Sequence, residues 1–105
     1  MFKKLVRDNI TEIMGKKGKN PDFYIANNEE YKLELFKKLL EEAEEVIEEK
    51  NNKEKLKEEL WDLMEVLLAI LKLENITFKE IEYIRKEKLK NRWWFDKKII
   101  LNLKQ

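Results

Sequence analysis

The chain has 105 residues, enough for one domain spanning 1–105 and too few for two. Hydrophobic and charged residues each make up 43%, with two Gly and one Pro, which excludes a disordered chain and favours long helices. Cys and His are both absent, so disulfides, thiolate or imidazole metal sites and His-dependent nucleophiles are excluded, and the formal charge is only +1.

Residues 3–14 (KKLVRDNITEIM) predict a short helix with Asn9 or Thr11 near its start, and 15–21 read as a loop. Residues 22–26 read as a short strand by composition. Asn27 with Glu30 three residues later resembles a capping box, opening a long helix over about 28–50. Its apolar residues Phe36, Leu39, Leu40, Ala43, Val46 and Ile47 follow helical spacing. Asn51-Asn52 interrupts that pattern and can cap a second long helix reaching about Glu74. Thr77 with Glu80 forms a further capping box for a third long helix ending near Asn91. Residues 98–103 favour a strand that could pair with 23–26.

The short link at Asn51-Asn52 makes the two long helices antiparallel neighbours meeting along their apolar stripes. The second is apolar around most of its circumference over 60–71, more than one neighbour can cover. The expected architecture is therefore all-α: an antiparallel helical bundle completed by oligomerisation, most simply a two-fold dimer, with short terminal β-strands. The longest strongly apolar run, 66–71, falls far short of the roughly 20 residues of a membrane span. No apolar stretch follows Met1-Phe2-Lys3-Lys4, so the expected compartment is the cytoplasm.

The small net charge hides three blocks. Residues 1–20 carry six Lys/Arg against two acids, 21–84 nine Lys against 18 acids, and 85–105 eight Lys/Arg against two acids. Such blocks either neutralise one another by packing or mark a place where cations and anions meet. Within the acidic block, 41–49 read EEAEEVIEE, six Glu without a basic residue. A solvated face is the ordinary explanation, but like charges three and four apart repel along a helix, and a divalent cation would relieve them. On the second helix Glu59 and Asp62 repeat the three-residue spacing. At about 100° per residue, Glu42 and Glu59 fall roughly 100° from the centre of their apolar stripes, and Glu45 and Asp62 roughly 160°. Two equivalent carboxylate pairs could thus share a position. All-oxygen donors suit Mg²⁺ or Mn²⁺, Ca²⁺ fits by ligand type, and four carboxylates could hold two ions.

The ordered pair Glu42-Ala43-Glu44-Glu45 and Glu59-Leu60-Trp61-Asp62 resembles the ExxE and ExxD elements of the all-alpha nucleotide pyrophosphohydrolase, or MazG-like, superfamily. KLVRDNITE at 4–12, KLLEEAEEV at 38–46, EELWDLMEVLLAI at 58–70 and ITFKEIEYIRKEKLKNR at 76–92 look most like its phosphoribosyl-ATP pyrophosphohydrolase-like subgroup. Two features depart from it. Thr11 stands where that group has Pro, and Trp93-Trp94 stand where it has Gly-Gly. Trp is not expected at a positive φ, so the turn there should be remodelled or the pocket wall altered.

The resemblance implies an Mg²⁺-dependent hydrolase, with Mn²⁺ as a substitute. It would cleave the α–β phosphoanhydride of a nucleotide to a nucleoside monophosphate and pyrophosphate, as in nucleotide-pool housekeeping. It implies Glu42, Glu45, Glu59 and Asp62 as metal ligands and Glu41 as the carboxylate accepting a proton from water. Lys4, Arg7, Lys88 and Arg92 would be phosphate contacts, each with an ordinary surface ion pair as its alternative. The partners it implies are a nucleotide substrate and further copies of the chain, as a homodimer or homotetramer, with no membrane. A non-catalytic helical dimerisation module that retains the fold is the competing reading. Binding to a nucleic acid polymer is not expected, because the acidic block repels phosphates and no recognised binding motif is present.

Overall fold

Local capping chemistry becomes four helices among the described residues, 3–104 of the computed structural model: α1 (Ile10–Lys16), α2 (Asn28–Glu48), α3 (Lys53–Leu73) and α4 (Phe78–Arg92). Met1, Phe2 and Gln105 lie outside the described residues. The Asn27 side chain accepts from the Glu30 amide at 2.9 Å, and the Asn52 side chain from the Lys55 amide at 3.2 Å. Only half of the expected Asn27 box forms, because the Glu30 carboxylate accepts from the Tyr24 hydroxyl at 2.6 Å instead. The Thr77 box is complete: the Glu80 amide donates to Thr77 Oγ1 at 3.1 Å, and the Thr77 amide donates to Glu80 Oε2 at 2.7 Å.

Two helices end in Schellman motifs, which satisfy their last carbonyls. At α1 the Lys19 amide reaches the Met14 carbonyl at 3.0 Å around Gly18, whose φ of 82° suits glycine. At α3 the Ile76 amide reaches the Leu71 carbonyl at 2.9 Å around Asn75, at φ 56°. That reversal leads directly into the Thr77 cap, so α3 and α4 are separated by a tight corner.

Three expectations are corrected. The first helix covers Ile10–Lys16 rather than 3–14, because residues 3–9 form an irregular lead-in whose cations reach α2 and α3. Residues 22–26 and 98–103 form no strand among the described residues. A strand needs a hydrogen-bonded neighbour, and these segments make no ladder with each other. Trp93, finally, does adopt a positive φ, at 63° with ψ −155°. The backbone there keeps a shape ordinarily reserved for glycine, at a strain of about 1–3 kcal/mol.

α2 and α3 form the principal helix pair. They run antiparallel, with Lys32 near the start of α2 bonded to Glu74 at the end of α3 at 2.7 Å. The seam does not follow the centres of their apolar stripes. Its most buried residues are Leu35 and Glu42 on α2, 3% and 6% exposed, and Val66 on α3, 5% exposed. At about 100° per residue, this line lies roughly 90° from each stripe centre. Much of the apolar surface therefore remains uncovered, and the carboxylates move toward the seam. α4 leads away from the pair, and the described chain has a radius of gyration of 18.2 Å, against about 13 Å for a compact domain of this length.

Candidate active site

The seam's rotation brings acids from both helices together. Glu42 and Glu45 come from consecutive turns of α2, and Glu59 from the facing part of α3. One carboxylate oxygen from each lies within 4.8 Å of the others. Glu42 Oε2 and Glu59 Oε2 are buried without a hydrogen-bond partner. A buried carboxylate oxygen in that condition is costly, because its lost hydration is not replaced. Lys38, one turn before Glu42 on α2, offers partial compensation at 3.6 Å. Sequence reasoning passed over this lysine, although its four-residue spacing from Glu42 was a readable signal.

The electrostatics reflect that crowding. Burial pushes the Glu42 carboxyl above its ordinary range, and the Glu45 charge pushes it further, against the opposing pull of Lys38. Glu45 is also raised, first by Glu59, with which it can share a proton, and then by burial. With Glu42 and Glu45 both held above the ordinary carboxylate range, the cluster is a donor set suited to added positive charge.

The irregular lead-in supplies cations beside this cluster. Lys4 Nζ lies 3.1 Å from Glu41 Oε1, and Arg7 donates to Asp62 Oδ1 at 3.0 Å. Glu41 holds the Lys4 ammonium above its usual pKa. The structure thus groups Glu42, Glu45 and Glu59, and places Glu41, Asp62, Lys4 and Arg7 along the same side of the hairpin. Asp62 lies outside the three-carboxylate grouping and faces Arg7. Lys88 and Arg92 sit on α4, and among the described residues neither pairs with an acid of the cluster. Trp61, between Glu59 and Asp62 on α3, is exposed.

The donor chemistry fits a hard divalent cation. Every donor is a carboxylate oxygen, the set spans two rigid helices, and two of its oxygens are buried with no protein partner. Among the described residues, no helix is long and apolar enough to cross a membrane.

The phosphoribosyl-ATP pyrophosphohydrolase family profile matches residues 6–88, which include the lead-in arginine, both acidic elements and most of α4. Comparison with curated proteins finds no match, and comparison with solved structures finds none. With 6–88 matched, the chain belongs to the phosphoribosyl-ATP pyrophosphohydrolase family, all-alpha pyrophosphohydrolases of the MazG-like type.

Proposed function

We propose that this family member hydrolyses the α–β phosphoanhydride of a nucleotide, releasing a nucleoside monophosphate and pyrophosphate with Mg²⁺ bound at the helix seam. The observation that carries the reading is the pair of buried, unpartnered oxygens of Glu42 and Glu59 facing Glu45 across two helices. Glu42, Glu45, Glu59 and Asp62 would hold the ion, and Mn²⁺ suits the same donors. Bound there, the cation supplies a Lewis acid that offsets phosphate charge and lowers the pKa of water.

The chain's own residues do the rest. Lys4 and Arg7 set two cations along the acidic side, where phosphate oxygens can replace Glu41 and Asp62 as their partners. That exchange frees Asp62 for the ion and Glu41 to accept the proton of the attacking water. Lys88 and Arg92 are further phosphate contacts from α4. The working unit is one domain over 1–105, acting on a cytoplasmic nucleotide pool.

A product assay with Mg²⁺ over common and modified nucleoside triphosphates and phosphoribosyl-ATP tests this reading, with folded Glu42→Gln and Glu59→Gln variants beside the wild type. Monophosphate and pyrophosphate from the wild type, with turnover reduced at least a hundredfold in both variants, is the expected result. Orthophosphate release, or equal turnover in all three proteins, would refute it.

A further inference from the structure

Building on the metal site proposed above, on which this step rests, we infer that Lys38 is its positioning residue: a tethered counter-ion that steadies the metal-free carboxylates and limits how tightly they take a divalent cation.

Burial singles this lysine out. Its side chain is 17% exposed, whereas every other ion-paired Lys or Arg among the described residues is 52–74% exposed. An ammonium loses hydration in such a place and needs compensating negative charge close by. Helix chemistry alone does not account for the pairing, because a Lys four residues ahead of a Glu is the weaker orientation of that pair. The contact is also a loose one. Lys38 Nζ stands 3.6 Å from Glu42 Oε1, beyond the length of a hydrogen bond, so the ammonium attracts the carboxylate without binding it. Glu42 Oε2 stays buried and unpartnered, as does Glu59 Oε2 across the seam.

Charge gives this placement a use. Lys4 and Arg7 are bonded to Glu41 and Asp62, so Lys38 is the cation paired within the three-carboxylate group. Three ionised carboxylates and one ammonium leave two negative charges, which a single divalent cation neutralises. Without metal, the ammonium offsets part of the repulsion between α2 and α3. With metal, the same charge opposes the ion. Neutralising Lys38 should therefore destabilise the metal-free protein and tighten metal binding. A buried lysine that served packing alone would give only the first effect.

Mn²⁺ binding to the full chain at neutral pH without nucleotide, followed by electron paramagnetic resonance of the free ion, tests this. Lys38→Met, checked for folding by circular dichroism, is expected to bind Mn²⁺ about tenfold more tightly than the wild type and to melt at a lower temperature in EDTA. Lys38→Arg keeps the charge and should remain closer to the wild type than to Lys38→Met. Lys37→Met makes the same charge change at an exposed neighbour paired with Glu34, and should bind as the wild type does. Where Lys38→Met does not fold, Lys38→Gln should show the same tightening. Equal or weaker Mn²⁺ binding by the neutral Lys38 variant would overturn this role and leave the metal site standing. Equal tightening in Lys37→Met would do the same. A wild type that binds no Mn²⁺ would overturn both the role and the metal site.

Discussion

Replacing Glu42 with Gln should stabilise the protein without metal and weaken its response to Mg²⁺. Glu42 is 6% exposed, one of its oxygens has no partner, and two other carboxylates lie within 4.8 Å. Two unit charges about 4.8 Å apart repel by about 3.5 kcal/mol at an effective dielectric of 20. Partial exposure of Glu45 and Glu59, with the attraction of Lys38, reduces the net gain from an uncharged amide to about 1–2 kcal/mol. For a domain of this size that is about 4–10 °C in Tm.

Saturating Mg²⁺ should reverse the order. At about one hundred times its dissociation constant, a ligand bound only by the folded state adds about 2.7 kcal/mol. The wild type should receive this in full and Glu42→Gln should lose most of it. Calorimetric melts at fixed protein concentration, in EDTA and in MgCl₂ at neutral pH, read both effects. The metal-free gap should also close on acidification. A raised folded pKa means that folding favours the protonated carboxyl, so its contribution is complete below the ordinary value of 4.5 and is lost as pH rises through the folded value. A destabilised metal-free Glu42→Gln with an undiminished Mg²⁺ response would show that the cluster is an ordinary charged face, and the reasoning would fail.

Arg7→Ala should change stability by less than about 1 kcal/mol, since its ion pair with Asp62 is largely exposed, while raising KM by about tenfold; steady-state kinetics with a nucleotide substrate measure this. Trp93→Gly should raise Tm by several degrees, because relief of about 1–3 kcal/mol of backbone strain outweighs an exposed Lys97 contact over the indole, worth about 0.5–1 kcal/mol; a fall in Tm would contradict the strained backbone. Thr77→Ala removes one arm of the capping box and should cost about 1 kcal/mol, seen as a lower urea midpoint with an unchanged slope.

The three long helices were readable from the chain because their signals are local, whereas the first was expected over 3–14 and forms over Ile10–Lys16. Asn27, Asn52 and Thr77 each satisfy an amide three residues ahead, and Asn75 and Gly18 each take the left-handed turn that ends a helix. The paired acidic elements were equally plain, since three-residue spacing puts two carboxylates on neighbouring turns wherever the helix is placed. The strands at 22–26 and 98–103 were misread for the converse reason. β-Composition describes a side-chain preference, but a strand forms only where another segment completes its hydrogen bonds.

Packing decided which direction each helix faces, and the site depends on that direction. Helical periodicity locates an apolar stripe but does not tell which part meets the neighbour in the same chain. Here the seam runs through Leu35, Glu42 and Val66, about 90° from the stripe centres. This rotation buries Glu42, gathers it with Glu45 and Glu59, and turns Asp62 toward Arg7. It also leaves the apolar stripes in the open. Contacts between residues far apart in the chain are summed over whole surfaces, so no local pattern encodes them: spacing gave a shared position for four carboxylates, but only the folded pair decided that Glu42, Glu45 and Glu59 meet there while Asp62 faces Arg7.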